Sequence, residues 1–194
     1  MKILSDEEIA MRIETPMFRL LSQTADVMGF EAYIVGGYVR DMMLERPSKD
    51  IDVVVVGSTD FLSEPHHDGP GIALAREFSA RLGHGAHLSF FENFGTAQVK
   101  WRHTQRIVDA NGEVHTEHCE EEVEFVGARR ESYSRNSRKP IVEDGTLHDD
   151  QLRRDFTINA MGICLNGSRF GELVDPFDGV CDLEDRLIVT PLDP

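Results

Sequence analysis

The stretch "KDIDVVVVG", Lys49 to Gly57, constrains this chain more than any other. Ile51 to Val56 is β-branched and nearly continuous, which predicts a strand covered on both faces rather than a sheet edge. Such a strand demands packed layers above and below it. Yet it is entered by two carboxylates, Asp50 and Asp52. Period-two geometry puts both on one face, roughly 7 Å apart at Cα. Carboxylates that close repel, so a divalent cation between them would give the pair a physical reason to exist. Oxygen ligands favour Mg²⁺ or Mn²⁺ over zinc. The plainer alternative is a polar strand entry.

A few residues upstream, "YIVGGYVRD" reads as a short buried strand, a glycine turn and the start of a helix. Gly36 and Gly37 allow a phosphate to approach the backbone, and Arg40, one turn in, can fork onto phosphate oxygens. A tight strand-to-helix turn with a surface arginine is the alternative. Asp41 is better suited to orienting Arg40 than to touching a ligand. The two features explain one another if the ligand is a nucleoside triphosphate, which arrives as a metal chelate and needs cradle and carboxylates side by side. The G-x-x-x-x-G-K-[ST] phosphate loop is absent, which disfavours an ordinary ATPase.

The rest of the chain predicts a helix over 6–29, a helix in "IALAREFSARLG", and strands around "HLSFFEN", "TAQVKW", "RIVDA" and "EEVEFVG". "STDFLSEPHHDGPG" and "ESYSRNSRKPIVEDGT" read as loops, the second of them mobile. "DDQLRRDFTINAMGI" reads as a helix with Leu152, Phe156, Ala160 and Ile163 on one side. A short strand pair and a turn-rich tail follow. Strands and helices without regular alternation predict an α+β fold, a small mixed sheet backed by helices, with an N-terminal helical segment (1–30) and one main domain (31–194). The 194 residues suffice for such a core, and 40% apolar with 28% charged residues is ordinary for a soluble protein. No apolar run reaches membrane-spanning length, and three scattered cysteines make no disulfide framework; a cytoplasmic setting is expected. The net charge of −15 argues against a large nucleic-acid footprint on this chain.

Taken together, "VGGYVRD", "KDIDVVVVG", "RKPIVEDGTLHDDQLRRDFTINAMGI" and "GELVDPFDGVCDLEDRLIVTPLDP" resemble the catalytic head of the CCA-adding tRNA nucleotidyltransferase and bacterial poly(A) polymerase family. The resemblance runs from about Tyr33 to the last residue, and "RRDFTINAM" is its most specific part. It implies a nucleotidyltransferase fold and metal-dependent, template-independent addition of nucleotides to an RNA 3′ end, CCA addition to tRNA first. Poly(A) addition and A-only or CC-only addition are the alternatives, and a non-catalytic nucleotide-binding module is an alternative of another class. It implies that Asp50 and Asp52 ligate Mg²⁺ or Mn²⁺, and that Gly36, Gly37 and Arg40 hold the triphosphate. It further implies that Arg154 binds nucleotide while Arg153, Asp155 and Asn159 shape the sugar and phosphate site. Such enzymes generally need a third carboxylate to help activate the attacking hydroxyl. Glu124 is the choice, with Glu122 facing the same way. The implied partners are ATP, CTP and a tRNA or other RNA 3′ end, with no membrane.

Three departures from the family pattern stand out. Asp178-Gly179 replaces an expected Gly-Gly, so the turn is expected to persist with one altered contact. The segment 102–122 is longer than the usual hairpin and reads as an insertion. Its His115, His118 and Cys119 form a partial zinc set with no fourth ligand, and flanking glutamates favour a surface hairpin. Finally, the family continues into a helical neck with a base-reading Asp/Arg pair and a basic body that grips tRNA, so the chain reads as an isolated head.

Overall fold

The computed structural model describes residues 3–57, 69–91, 95–109, 111–132 and 141–192, with 129–132 and 141–144 described by backbone only. The chain begins with α1 (Asp6–Arg12), α2 (Pro16–Met28), β1 (Glu31–Val35), α3 (Gly37–Met43), β2 (Ile51–Val56) and α4 (Gly69–Leu82). Then come β3 (His87–Phe91), β4 (Thr96–Val108), β5 (Val114–Gly127), β6 (Arg129–Ser132) and β7 (Ile141–Asp144). The last elements are α5 (Leu147–Leu152), α6 (Thr157–Ala160), β8 (Gly162–Cys164), β9 (Leu173–Val174) and α7 (Gly179–Asp185). The loops read at 58–68 and 133–140 lie outside the described residues.

The valine strand β2 takes the middle position of a seven-stranded sheet ordered β3-β4-β5-β2-β1-β8-β9. It pairs antiparallel with β1 and parallel with β5, and the sheet's other pairs are antiparallel. This is the expected α+β class. Val53 and Val55 face the larger core, with Ile9, Phe18 and Leu21 from the N-terminal helices, Leu74 and Phe78 from α4, and Phe125 from β5. Val54 faces the other way, into a smaller cluster with Tyr33, Val35, Ala128 and Cys164. Both faces of the strand are thus covered, as its composition demands. No helix among the described residues is long and apolar enough to cross a membrane.

Several expected boundaries move. The helix over 6–29 is two helices, because Thr15 caps the second by accepting from the Phe18 amide and Pro16 occupies its first turn. "TAQVKW" and "RIVDA" are one strand, and β4 and β5 pair from Thr96–Val126 out to Val108–Val114. The end of the segment read as a loop forms β7, paired with β6. The helix read over "DDQLRRDFTINAMGI" is α5, a turn, α6 and then β8. Asp155 accepts from the Phe156 amide, and Phe156 is extended at φ −135°, which breaks the helix. Leu152, Phe156, Ala160 and Ile163 therefore share no helix face.

The tail read as turns contains α7. Asp175 accepts from the amides of Gly179 and Val180, and Asp178 sits in the left-handed region at φ 56°. Gly179 has no such freedom to trade, since a Cβ there would lie 2.5 Å from the Thr157 carbonyl oxygen. The Thr157 amide in turn donates to Val189, which ties the last stretch to α6.

Helix α4 lies so close to β5 that a Cβ on Gly71 would sit 2.6 Å from the Gly127 nitrogen and 2.7 Å from the Val126 carbonyl carbon. Backbone cannot step aside as a side chain can. Gly71→Ala should cost about 1–3 kcal/mol by overpacking. That corresponds to a loss of about 2–4 °C per kcal/mol in Tm for a chain of this size. An unchanged melting temperature would show that α4 moves freely over the sheet.

Candidate functional site

Alternation along the strands carries one row of side chains across the sheet. Asp52 of β2 stands opposite Glu124 of β5, and Glu124 stands opposite Gln98 of β4. These residues line a cleft of about 520 Å³ together with Phe91, Thr96, Val126, Arg153 and Arg154. Asp52 is half-buried, while Asp50 is exposed just before the strand. Burial pushes the Asp52 carboxyl above the usual carboxylate range, Arg154 pulls it back, and Asp50 adds to the rise. Burial likewise raises Glu124, helped by Asp52 and Glu122. Asp52 and Glu124, with Asp50 close enough to act on Asp52, offer oxygen donors only, a set suited to a hard divalent cation.

Of the two facing glutamates, Glu124 lines the cleft. Glu122 accepts from Gln98 Nε2 and pairs with Lys100 at 2.8 Å.

The glycine turn reaches the same place. Gly36 has φ 76° and ψ −141°, a conformation side chains rarely adopt. A Cβ there would meet Arg154 Nη1 at 3.3 Å and Asp52 Oδ2 at 3.5 Å. Gly37 lies against the Arg40 guanidinium, which donates through Nε to Asp41 at 2.9 Å and through Nη1 to Asn159 at 2.8 Å. Asn159 donates to Asp155 at 3.1 Å, and its carbonyl accepts from Arg154 Nη1 at 3.4 Å. One hydrogen-bonded chain therefore joins α3 to the turn before α6.

Sequence reasoning missed the residue that holds this turn. Asp150 is fully buried. One of its oxygens accepts from Arg153 Nε and Nη2, and the other accepts from Arg154 Nε at 3.2 Å and Nη2 at 2.9 Å. Each arginine gives its Nε and Nη2 to this carboxylate. The spacing of Asp150 to Arg153 and Arg154, three and four residues, was the available signal.

The partial zinc set does not assemble. His118 and Cys119 are neighbours on β5, so their side chains leave opposite faces of the ribbon. Among the described residues, the one group with metal-like spacing is Asp109, Glu113 and His115 at the ribbon tip. There Asp109 accepts from the amides of Asn111 and Glu113 and meets His115, so it closes the turn.

Residues 32–189 match the family described as the poly A polymerase head domain. The chain belongs to this family. An A-adding tRNA nucleotidyltransferase of Aquifex aeolicus is 39% identical over 157 residues, covering 81% of this chain and 15% of that protein. A CC-adding tRNA nucleotidyltransferase of Deinococcus radiodurans is 36% identical over 80% of this chain and 34% of its own length. Among solved structures, a tRNA nucleotidyltransferase complexed with a primer tRNA and an incoming ATP analog superposes with a TM-score of 0.62 at 34% identity, covering 89% of this chain and 39% of the other. An apo CCA-adding enzyme reaches a TM-score of 0.70 at 30% identity, over 99% of this chain and 39% of the other. This head domain thus spans about a third or less of the curated relatives named here.

Removing the Asp150 carboxylate would leave two guanidinium groups facing a buried gap. Asp150→Ala in this poly A polymerase head domain should cost about 3 kcal/mol, at the low end for a broken buried pair because Arg153 stays 38% exposed. Asp155→Ala, at an exposed position, should cost about 1 kcal/mol or less. Urea unfolding of the two variants measures both, and equal costs would deny Asp150 its anchoring role.

Proposed function

We propose that this chain is the catalytic head of a metal-dependent, template-independent RNA nucleotidyltransferase that extends RNA 3′ ends, with CCA addition to tRNA as the leading reaction. The observation that carries the reading is the Asp52–Glu124 pair set across two strands, with the Gly36 turn and Arg154 within side-chain reach of it. The relatives support it, being named for A-adding, CC-adding and CCA-adding activities.

In this reading Gly36, Gly37, Arg40 and Arg154 receive the triphosphate. The first-turn amides of α3 have no partner within the helix, and Gly36 offers no side-chain cap to occupy them. Asp41 and Asn159 orient Arg40, while Arg153, Asp155 and Asn159 shape the sugar and phosphate site. Asp50 and Asp52 hold Mg²⁺ or Mn²⁺, which fits their oxygen donors and would lower the charge barrier to attack on the α-phosphorus. Glu124, with its raised affinity for a proton, takes the proton of the attacking 3′ hydroxyl. The new bond joins that oxygen to the α-phosphorus, the bond to the β-phosphate breaks, and pyrophosphate leaves toward Arg40. The setting is cytoplasmic.

Asp52→Asn, in this chain or any longer protein that carries it, should abolish transfer without unfolding the domain. Asp52 binds its proton more tightly folded than unfolded, so its ionisation above pH 4 takes stability away rather than adding it. The neutral amide should therefore match or exceed the wild type in Tm at neutral pH. Unchanged turnover would sink the metal-carboxylate assignment.

Nothing in this proposed set reads a base edge. Residues 1–194 should bind ATP, CTP, GTP and UTP weakly and nearly alike, with Mg²⁺ or Mn²⁺ required. With −15 net charge the chain should hold tRNA poorly even at low salt. Calorimetric titrations with the four nucleotides and a tRNA binding series across salt test both expectations. Marked preference for one base, or tight tRNA binding, would place recognition inside this chain.

A further inference from the structure

The exposed aromatic at the far side of the cleft has no role in the mechanism above. Phe91 ends β3, opposite Thr96 of β4, and Thr96 stands opposite Val126 of β5. Directly paired residues share a sheet face, so Phe91 lies on the same side as Gln98, Glu124 and Asp52. It lines the cleft and is 46% exposed. Its neighbour Phe90 points to the other face, where Arg76 of α4 covers its ring at 4.2 Å. Among the described residues no ring or guanidinium stacks on Phe91.

The order of strands gives this ring a direction. The proposed phosphate cradle follows β1, the carboxylates stand on β2 and β5, and Phe91 closes β3 at the sheet's edge. In-line displacement puts the attacking oxygen and the departing pyrophosphate on opposite sides of the α-phosphorus. With pyrophosphate leaving toward Arg40 and the β1 side, the attacking 3′ hydroxyl must enter from the β5–β4 side. The nucleotide that carries this hydroxyl then lies over Gln98 and Thr96. Two strand spacings and one pair of residues separate Glu124 from Phe91, about 12 Å between Cα positions. A terminal nucleotide and the phenyl ring fill that span between them.

We propose that Phe91 is the stacking platform for the terminal base of the RNA being extended. The inference rests on the nucleotidyltransferase reading and adds to it a subsite for the primer end. A phenyl face accepts any base, because every base has a π-face. That suits a primer end whose last base changes with each round of addition.

The test uses residues 1–194, Mg²⁺, a non-hydrolysable CTP analogue and a short oligoribonucleotide ending in 2-aminopurine. At the high protein concentrations that the weak RNA grip of this acidic chain requires, wild type and Phe91→Tyr should bind the oligonucleotide alike, weakly but measurably, and alter its fluorescence on binding. Phe91→Ala should bind it about 5- to 100-fold more weakly and lose the fluorescence change. Its affinity for the CTP analogue should be unchanged. Phe91 is exposed on an edge strand, so a matching thermal melt for Phe91→Ala is expected and checks its fold. Equal oligonucleotide binding by Phe91→Ala would overturn the platform. So would a loss confined to the CTP analogue, which would assign the ring to the incoming base. A wild-type chain that binds the analogue but not the oligonucleotide also overturns it. Failure of the nucleotidyltransferase reading looks different, with no metal-dependent nucleotide binding by any variant.

Discussion

The parallel pairing of β2 with β5 sets Asp52 opposite Glu124, and the cleft's chemistry hangs on that register. A slip of β2 by one residue would turn Asp52 toward the larger core and bring Val53 to the cleft face. The valines prevent it. Val53 and Val55 are fully buried on one face and Val54 on the other, so the strand has no alternative setting that keeps its apolar surface dry. The hydrophobic run therefore does more than fill the core. It fixes, to the residue, where two charges that repel each other must stand.

The cationic half of the cleft is built by a different device. Arg153 and Arg154 sit beyond a helix of only six residues, too short to hold long side chains still by itself. A single buried carboxylate, Asp150, binds both guanidinium groups by two donors each. Arg40 is fixed in a similar way between Asp41 and Asn159. Pre-ordering of this kind removes rotamer entropy before a ligand arrives, which is what a recognition site for phosphate needs.

Much of this was legible in the sequence because it rests on local rules. The covered strand, the glycine turn and the two aspartates follow from period and residue type. What escaped was set by tertiary contacts. The break between α5 and α6 depends on Asp155 satisfying the Phe156 amide and on Gly162 to Cys164 joining β1 as a strand. Apolar spacing alone could not separate that from a continuous helix. Asp150 escaped because, among several acidic residues in "HDDQLRRD", only burial distinguishes the one that anchors both arginines. Glu122 and Glu124 share a face and a strand. Their difference lies in Lys100 and Gln98, which occupy the first and leave the second to the cleft.

Under the proposed function, the charge arrangement also gives a reason for a metal chelate, rather than a free nucleotide, to be the ligand. Each arginine of the proposed site already carries a carboxylate: Asp41 beside Arg40, and Asp150 beside Arg153 and Arg154. Asp52 and Glu124 line the cleft as well, and Asp50 is close enough to act on Asp52. Outside it, Lys100 and Arg102 are spent on Glu122 and Glu120. A bare triphosphate would approach a site in which Asp41, Asp50, Asp52, Glu124 and Asp150 outnumber Arg40, Arg153 and Arg154, on a chain of −15 overall. The divalent cation proposed for Asp50 and Asp52 would offset that excess, and the guanidinium donors would then act at short range, where salt screens them least. Metal dependence of binding, and not only of turnover, follows from that balance.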